Sequence, residues 1–144
     1  MQKDTAEIVK ELQLSPDFQS FYQENKAFIV DKSLAQLLEQ LLQETGISKA
    51  KAIKSAEMSE VYGYHIFAGS RIPERGKVLA LAIGMGLNME QIQQLLKTAG
   101  YSALYVKRPF DCVVLYGIFK KMTVAQINEL LYDYGMESLG QSTL

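Results

Sequence analysis

The feature that most constrains the fold is an internal repeat in the second half of the chain. Residues 79–104 (LALAIGMGLNMEQIQQLLKTAGYSAL) align without gaps to residues 114–139 (VLYGIFKKMTVAQINELLYDYGMESL), at an offset of 35 positions. Seven aligned pairs are identical: Ile83/Ile118, Gln91/Gln126, Ile92/Ile127, Leu95/Leu130, Leu96/Leu131, Gly100/Gly135 and Leu104/Leu139. Each copy is predicted to form a helix, a short turn, a second helix capped by Asn88 or Thr123, a glycine stop and a returning leucine. This pattern favours two stacked helical hairpins, although any two amphipathic helices with glycine C-caps would look similar.

The rest of the chain also shows helical periodicity. Ser33 and Gly46 delimit a segment whose leucines recur at helical spacing, with the serine as N-cap and the glycine as stop. Ser15 is predicted to cap another helix that has Pro16 at its first position, and Pro73 is predicted to begin a further helix. No segment combines strand-like alternation with a hairpin turn. The sequence therefore predicts an all-α protein.

The residue counts exclude several classes of function. Cys112 is the only cysteine, so no intrachain disulfide can form, and a reducing compartment is expected. The first residues lack a basic stretch followed by an apolar core, and no apolar run reaches the length of a membrane span. A cytoplasmic protein without membrane contact is the expectation. His65 is the only histidine, and neither a phosphate-binding glycine loop nor a carboxylate pair is evident. We therefore expect no enzyme activity, no cofactor and no metal.

Charge is distributed unevenly along the chain, although the net charge is only −1. Residues 47–77 carry six Lys or Arg against three acids, a balance of +3, whereas residues 1–46 carry four lysines against eight acids, a balance of −4. A basic segment within a mildly acidic protein favours a local anionic partner. A lysine-rich helix face in solvent would give the same count.

The basic segment contains two predicted short helices, over 48–56 and 59–68, separated by a tight turn at Glu57. A glycine turn and a basic loop ending in Pro73 follow. The full stretch ISKAKAIKSAEMSEVYGYHIFAGSRIPERGKVLALAIGMGLNMEQIQQLL resembles the phage-repressor-like (Xre/Cro-type) helix-turn-helix proteins of bacteria, over roughly residues 34–96. That family usually has glycine in the turn where this chain has Glu57.

The resemblance implies a five-helix bundle over residues 32–100. Residues 1–31 would then form an N-terminal helical extension, and residues 101–144 a C-terminal helical hairpin packed on the bundle. It also implies a sequence-specific regulator that binds double-stranded DNA, with the helix at 59–68 in the major groove and the preceding helix across the backbone. A homodimer is expected, because one such unit reads only a few base pairs.

By the same resemblance, particular side chains would contact DNA. The positions that would contact bases are Glu60, Val61, Tyr64 and His65. The positions that would contact the sugar-phosphate backbone are Ser48, Lys49, Ser59, Arg71 and Arg75. The carboxylate at Glu60 could accept from a cytosine amino group, or it could simply favour the positive N-terminal end of its own helix.

A helical wheel of residues 58–68 separates an inward from an outward side, and this division agrees with the predicted base contacts. Gly63 falls on the inward side with Tyr62, whereas Val61 and Tyr64 fall on the outward side. Because glycine costs about 1 kcal/mol relative to alanine in a helix interior, a packing benefit is expected at Gly63. The missing side chain would permit close approach of another helix or leave room for the neighbouring tyrosine ring.

Two other functions fit the sequence. The chain could be a protein-interaction module that keeps the bundle without binding DNA, a reading favoured by the acidic N-terminal third and by Glu60. The aromatic stretch at 101–122 would then be core or a dimer surface. A small-molecule sensor is a further alternative.

Overall fold

In a computed structural model of the chain, the regular secondary structure of the described residues is α-helical. The structure describes residues 3–29 and 33–140, and nine helices lie in these two ranges. They are α1 (Thr5–Leu14), α2 (Phe18–Asn25), α3 (Leu34–Thr45), α4 (Lys49–Ser55), α5 (Glu60–Ala68), α6 (Arg75–Gly84), α7 (Met89–Thr98), α8 (Pro109–Phe119) and α9 (Val124–Asp133). The predicted all-α class is confirmed. Among the described residues, none forms a helix that is long and apolar enough to cross a membrane.

The chain divides into two compact units, Met1–Lys32 and Ser33–Leu144. The first contains α1 and α2, which Lys3 links. Its ammonium donates to both carboxylate oxygens of Glu11 at 2.9 and 2.8 Å and to Oδ1 of Asn25 at 3.0 Å. The predicted boundary between residues 31 and 32 lies outside the described residues.

The start of α2 differs from the prediction. Asp17 is the N-cap, because its Oδ1 accepts from the backbone N–H of Ser20 at 2.7 Å and its Oδ2 accepts from the Ser20 hydroxyl at 3.1 Å. These two bonds hold the pKa of Asp17 below its usual value. Ser15 as N-cap and Pro16 at the first helical position were therefore wrong. A carboxylate two residues further on is the stronger acceptor for the free N–H groups of the helix.

Helix α6 lies at the centre of the second unit. It packs against α4, α7 and α9, while α3 packs against α5 and α7, and α8 packs against α9. Residues 77–82 of α6 are all buried, as expected for a helix covered on more than one side. A Cβ at Gly84 would lie 2.9 Å from the backbone N of Ala56. The end of α6 thus lies directly against the backbone at the end of α4.

Four helix connections in the second unit share one pattern. A residue in the left-handed conformation ends the helix, a buried or half-buried apolar residue follows, and a Ser, Asn or Thr caps the next helix. The four are Gly46-Ile47-Ser48, Glu57-Met58-Ser59, Gly86-Leu87-Asn88 and Lys121-Met122-Thr123. Glu57 and Lys121 adopt φ of 59° and 56° without being glycine. Glu57 therefore takes the conformation that a glycine would adopt at lower cost.

The sequence repeat corresponds to a structural repeat. Helices α6 and α8 end at aligned residues, α7 and α9 begin and end at aligned residues, and Asn88 and Thr123 form the same capping box. In both copies, the backbone N–H of the leucine that follows the second helix donates to a side-chain amide oxygen of that helix. The N–H of Leu104 donates to Oε1 of Gln93 at 2.8 Å, and the N–H of Leu139 donates to Oδ1 of Asn128 at 2.6 Å. Both leucines are buried. The predicted pair of helical hairpins is confirmed.

The prediction that a helix begins at Pro73 was wrong. Helix α6 begins at Arg75, and Glu74 is its N-cap without a side-chain hydrogen bond. Pro73 is buried, and its carbonyl accepts from the hydroxyl of Tyr101 at 2.6 Å. This bond keeps the proline in the loop that leads into the helix.

Candidate functional site

Helices α4 and α5 cross closely because of one glycine. Gly63 is buried in the middle of α5, and a Cβ placed there would lie 2.5 Å from Cγ2 of Ile53 on α4. The prediction that Gly63 faces inward is confirmed. Of the two reasons offered for it, close helix approach applies, because the space is filled by Ile53.

The outward face of α5 is exposed. It consists of Glu60, Val61, Tyr64, His65 and Ala68, which together line a shallow surface depression. Val61 is 70% exposed and Tyr64 is 40% exposed. The structure thus brings all four predicted base-contacting residues onto one face, which we call the α5 face. Within residues 33–140, no helix of the second unit covers it.

His65 is oriented by the turn that follows α5. Its Nδ1 lies 3.0 Å from the hydroxyl of Ser70, and that hydroxyl lies 3.2 Å from the His65 carbonyl oxygen. Gly69, with φ of 83°, makes the turn that returns Ser70 to the ring. The imidazole is therefore held at the edge of the α5 face.

The two serines predicted to contact phosphates are helix caps. The hydroxyl of Ser48 accepts from the N–H of Lys51 at 3.1 Å, and that of Ser59 accepts from the N–H of Tyr62 at 3.2 Å. Each hydroxyl oxygen therefore satisfies a free N–H of its own helix. The structure places both at helix starts, where N–H groups also point outward.

Lys49 and Arg71 are the predicted backbone-contacting cations that remain at the surface. The ammonium of Lys49 lies 2.6 Å from Oε1 of Glu39 and 5.5 Å from the centroid of the Phe67 ring. The guanidinium of the exposed Arg71 lies 5.8 Å from the centroid of the Tyr62 ring. Lys49 is partly exposed and Arg71 is exposed, so both side chains are accessible to a partner in solution.

Arg75, also predicted to contact the DNA backbone, is bonded to other parts of the second unit. Its guanidinium forms a bidentate ion pair with Asp111 at 2.8 and 3.0 Å and donates to the carbonyls of Ser102 and Ala103. These bonds orient the side chain towards the start of α8, so Arg75 does not belong to the α5 face.

Asp111 is the residue that sequence reasoning missed. Its side chain is only 2% exposed, and it also accepts from the N–H of Tyr105 at 2.9 Å. Burial alone would raise the pKa of Asp111, but the bonds from Arg75 and Tyr105 outweigh burial and hold that pKa below its usual value. A single carboxylate within the apolar run PFDCVVLYGIF was the signal that could have identified it.

Three further cations of the basic segment lie outside the depression that the α5 face lines. Lys51 and Lys54 line a cleft of about 850 Å³ together with Lys121 and Thr123 at the start of α9. Lys77 is buried, and its ammonium lies 3.8 Å from the centroid of the Tyr62 ring. The cations of the basic segment therefore do not form one cluster at the α5 face.

The described residues hold no group of three or more His, Cys, Asp or Glu side chains arranged to bind a metal ion. Comparison of the chain with family models, with curated proteins and with solved structures gave no match.

Proposed function

We propose that the chain is a sequence-specific double-stranded DNA-binding protein, a transcriptional regulator that reads the major groove with α5. One observation carries the proposal: the α5 face is exposed, and its side chains are those that the helix-turn-helix resemblance assigns to base contact. In this proposal α3–α7 are the five helices of a phage-repressor-like bundle, and the chain acts in the cytoplasm of a bacterium.

The arrangement of α4 and α5 supports this role. A short helix that crosses the recognition helix can rest its N-terminus on the phosphate backbone, where N–H groups favour anions. Ser48 and Lys49 lie at that end of α4, and Arg71 lies in the loop after α5. These residues would position the α5 face, whereas His65 and Glu60 would distinguish base pairs.

Selection from a random duplex pool at two salt concentrations tests the proposal. We expect enrichment of a common sequence, with affinity that falls steeply as salt rises. Lys49→Ala and Arg71→Ala should each weaken binding to all sequences and reduce the log–log salt slope by about 0.9. The charge-matched control is Lys120→Ala at the end of α8, which should leave the slope unchanged. Absence of any enriched duplex, or binding that is independent of salt, would refute the proposal.

Base reading has its own test. His65→Ala or Glu60→Gln should change the preferred base at one position, a discrimination of about 1–3 kcal/mol for each lost contact. The measurement is a repeat of the selection with each variant. Because a half-site spans few base pairs, we also propose a homodimer, which would produce palindromic selected sites. Unchanged preference in both variants would place base recognition outside the α5 face.

A second candidate function is a protein-interaction module that uses the same face. The observation that favours it is the mainly apolar character of the α5 face, with Val61 prominent and a carboxylate at Glu60. This function predicts a protein partner whose capture is unaffected by Lys49→Ala or Arg71→Ala and is lost in Val61→Asp.

A further inference from the structure

The two hairpins of the repeat differ in what covers their first helices. In α6, one face carries Lys77, Leu81 and Gly84 at positions i, i+4 and i+7. Lys77 lies against Tyr62 of α5, and Gly84 lies against the backbone at the end of α4. Leu81 is only 1% exposed. Helices α4 and α5 therefore cover this face of α6.

The same positions on α8 are exposed. At the offset of 35, the counterparts of the three α6 residues are Cys112, Tyr116 and Phe119. Tyr116 is 50% exposed, Phe119 is 68% exposed, and Cys112 is also exposed. We call these three residues the α8 stripe. The second hairpin thus presents to solvent an apolar surface that the first hairpin buries beneath other helices.

The charges around the α8 stripe favour one kind of occupant. Lys107 and Arg108 precede α8, Lys120 and Lys121 follow it, and the one carboxylate within α8 is the buried Asp111. Both ends of the stripe are therefore basic. If α8 of a second copy packed on it, in either direction, Lys or Arg would meet Lys or Arg, and like charges oppose such an interface.

We propose that the α8 stripe is a docking site for an amphipathic helix of another protein, with an apolar stripe that carries Asp or Glu at both ends. A helix fits because helices cover the equivalent face of α6, and because i, i+4, i+7 spacing matches the apolar face of a partner helix. Acidic ends would pair with the cations at either end of α8. This site is separate from the α5 face and does not depend on DNA binding.

A peptide selection tests the proposal. A display library of 20-residue peptides is selected on the unmodified full chain alone, and each enriched peptide is then measured on the wild type and on Phe119→Asp. The enriched peptides should be helical, with apolar residues at i, i+3 or i+4, and i+7 and acids at both ends. Their affinity should fall at least about tenfold in Phe119→Asp. The matched control is Tyr132→Asp, which places the same charge on an exposed aromatic position of α9 and should bind as the wild type does.

Cys112 provides a readout in the unmodified chain. As the only cysteine, and part of the α8 stripe, it should react with iodoacetamide in the free protein and be protected by a selected peptide. Circular dichroism of Phe119→Asp confirms that the variant is folded. Lys49→Ala and Arg71→Ala should leave peptide binding unchanged, which separates this result from the proposed DNA-binding function.

Four outcomes would overturn the docking proposal. Peptides without acidic ends, peptides that bind Phe119→Asp equally, or no enriched peptide at all would each do so. The fourth is a dimer by sedimentation that Phe119→Asp disperses, because the stripe would then belong to a second copy of the chain.

Discussion

Asp111→Ala is expected to lower the free energy of unfolding by about 3–5 kcal/mol, the cost of removing one partner of a buried ion pair. The carboxylate of Asp111 accepts both guanidinium bonds of Arg75 and the N–H of Tyr105. Its loss leaves these donors without their acceptor in a site that excludes most water. The measurement is urea unfolding followed by circular dichroism.

The matched control for Asp111→Ala is Asp133→Ala at the exposed end of α9. Its cost should stay within about 0.5 kcal/mol, as for most surface substitutions. Equal stability of the two variants would show that the pair with Arg75 does not hold the second hairpin in place.

The same carboxylate predicts a dependence of stability on pH. Because the pKa of Asp111 is lowered in the folded protein, the unfolded chain binds its proton first as pH falls. The stabilisation is therefore complete above the usual aspartate pKa of 3.8 and is lost as pH falls through the lower folded value. In Asp111→Asn this part of the acid sensitivity should disappear, which unfolding curves at neutral pH and in acid would reveal.

Gly84→Ala is expected to destabilise the protein by about 1–3 kcal/mol, the usual cost of overpacking a core. The new methyl group would lie 2.9 Å from the backbone N of Ala56 and 3.0 Å from the carbonyl carbon of Ser55. No rotamer change can relieve a clash with backbone, so α4 must move away from α6. Thermal and urea unfolding would measure the loss, and under the proposed function weaker duplex binding should accompany the displacement of α4.

Gly76→Ala is the control for Gly84→Ala, since both glycines lie in α6. A Cβ at Gly76 would meet its nearest atom, the backbone N of Gly140, at an ordinary 3.5 Å. Alanine also favours the helix by up to about 1 kcal/mol, so the change should be neutral or stabilising. If Gly84→Ala were as stable as Gly76→Ala, the close approach of α4 and α6 would be disproved.

The features that could be predicted from sequence are local ones. Asn88, Thr123 and Ser33 were correctly predicted as N-caps. A short polar side chain just before an apolar run of helical period can accept a hydrogen bond from a free backbone N–H of the first turn. The inward position of Gly63 followed from helical periodicity alone. For α2 only Ser15 was predicted as the cap, and the structure uses Asp17 instead.

The features that could not be predicted depend on long-range packing. Arg75 and Asp111 are 36 positions apart, and no local pattern relates a guanidinium at a helix start to a carboxylate in a later helix. The basic count of residues 47–77 likewise could not show that Lys77 is buried on Tyr62. For the candidate site, the sequence therefore indicated the α5 face correctly as an exposed helix side, but it could not show that Arg75 and Lys77 make contacts within the fold.

The pairing of Arg75 with Asp111 makes the early and late helices of the second unit depend on one another. A chain that ended at Gly100 would keep the guanidinium of Arg75 but lose the carboxylate of Asp111. It would also lack α9, which packs against α6. Shortening this protein to residues 33–100, which contain the helices proposed to contact DNA, is therefore expected to destabilise it. The second hairpin supports α6 through α9 and through the Arg75–Asp111 pair, and α6 in turn packs against α4.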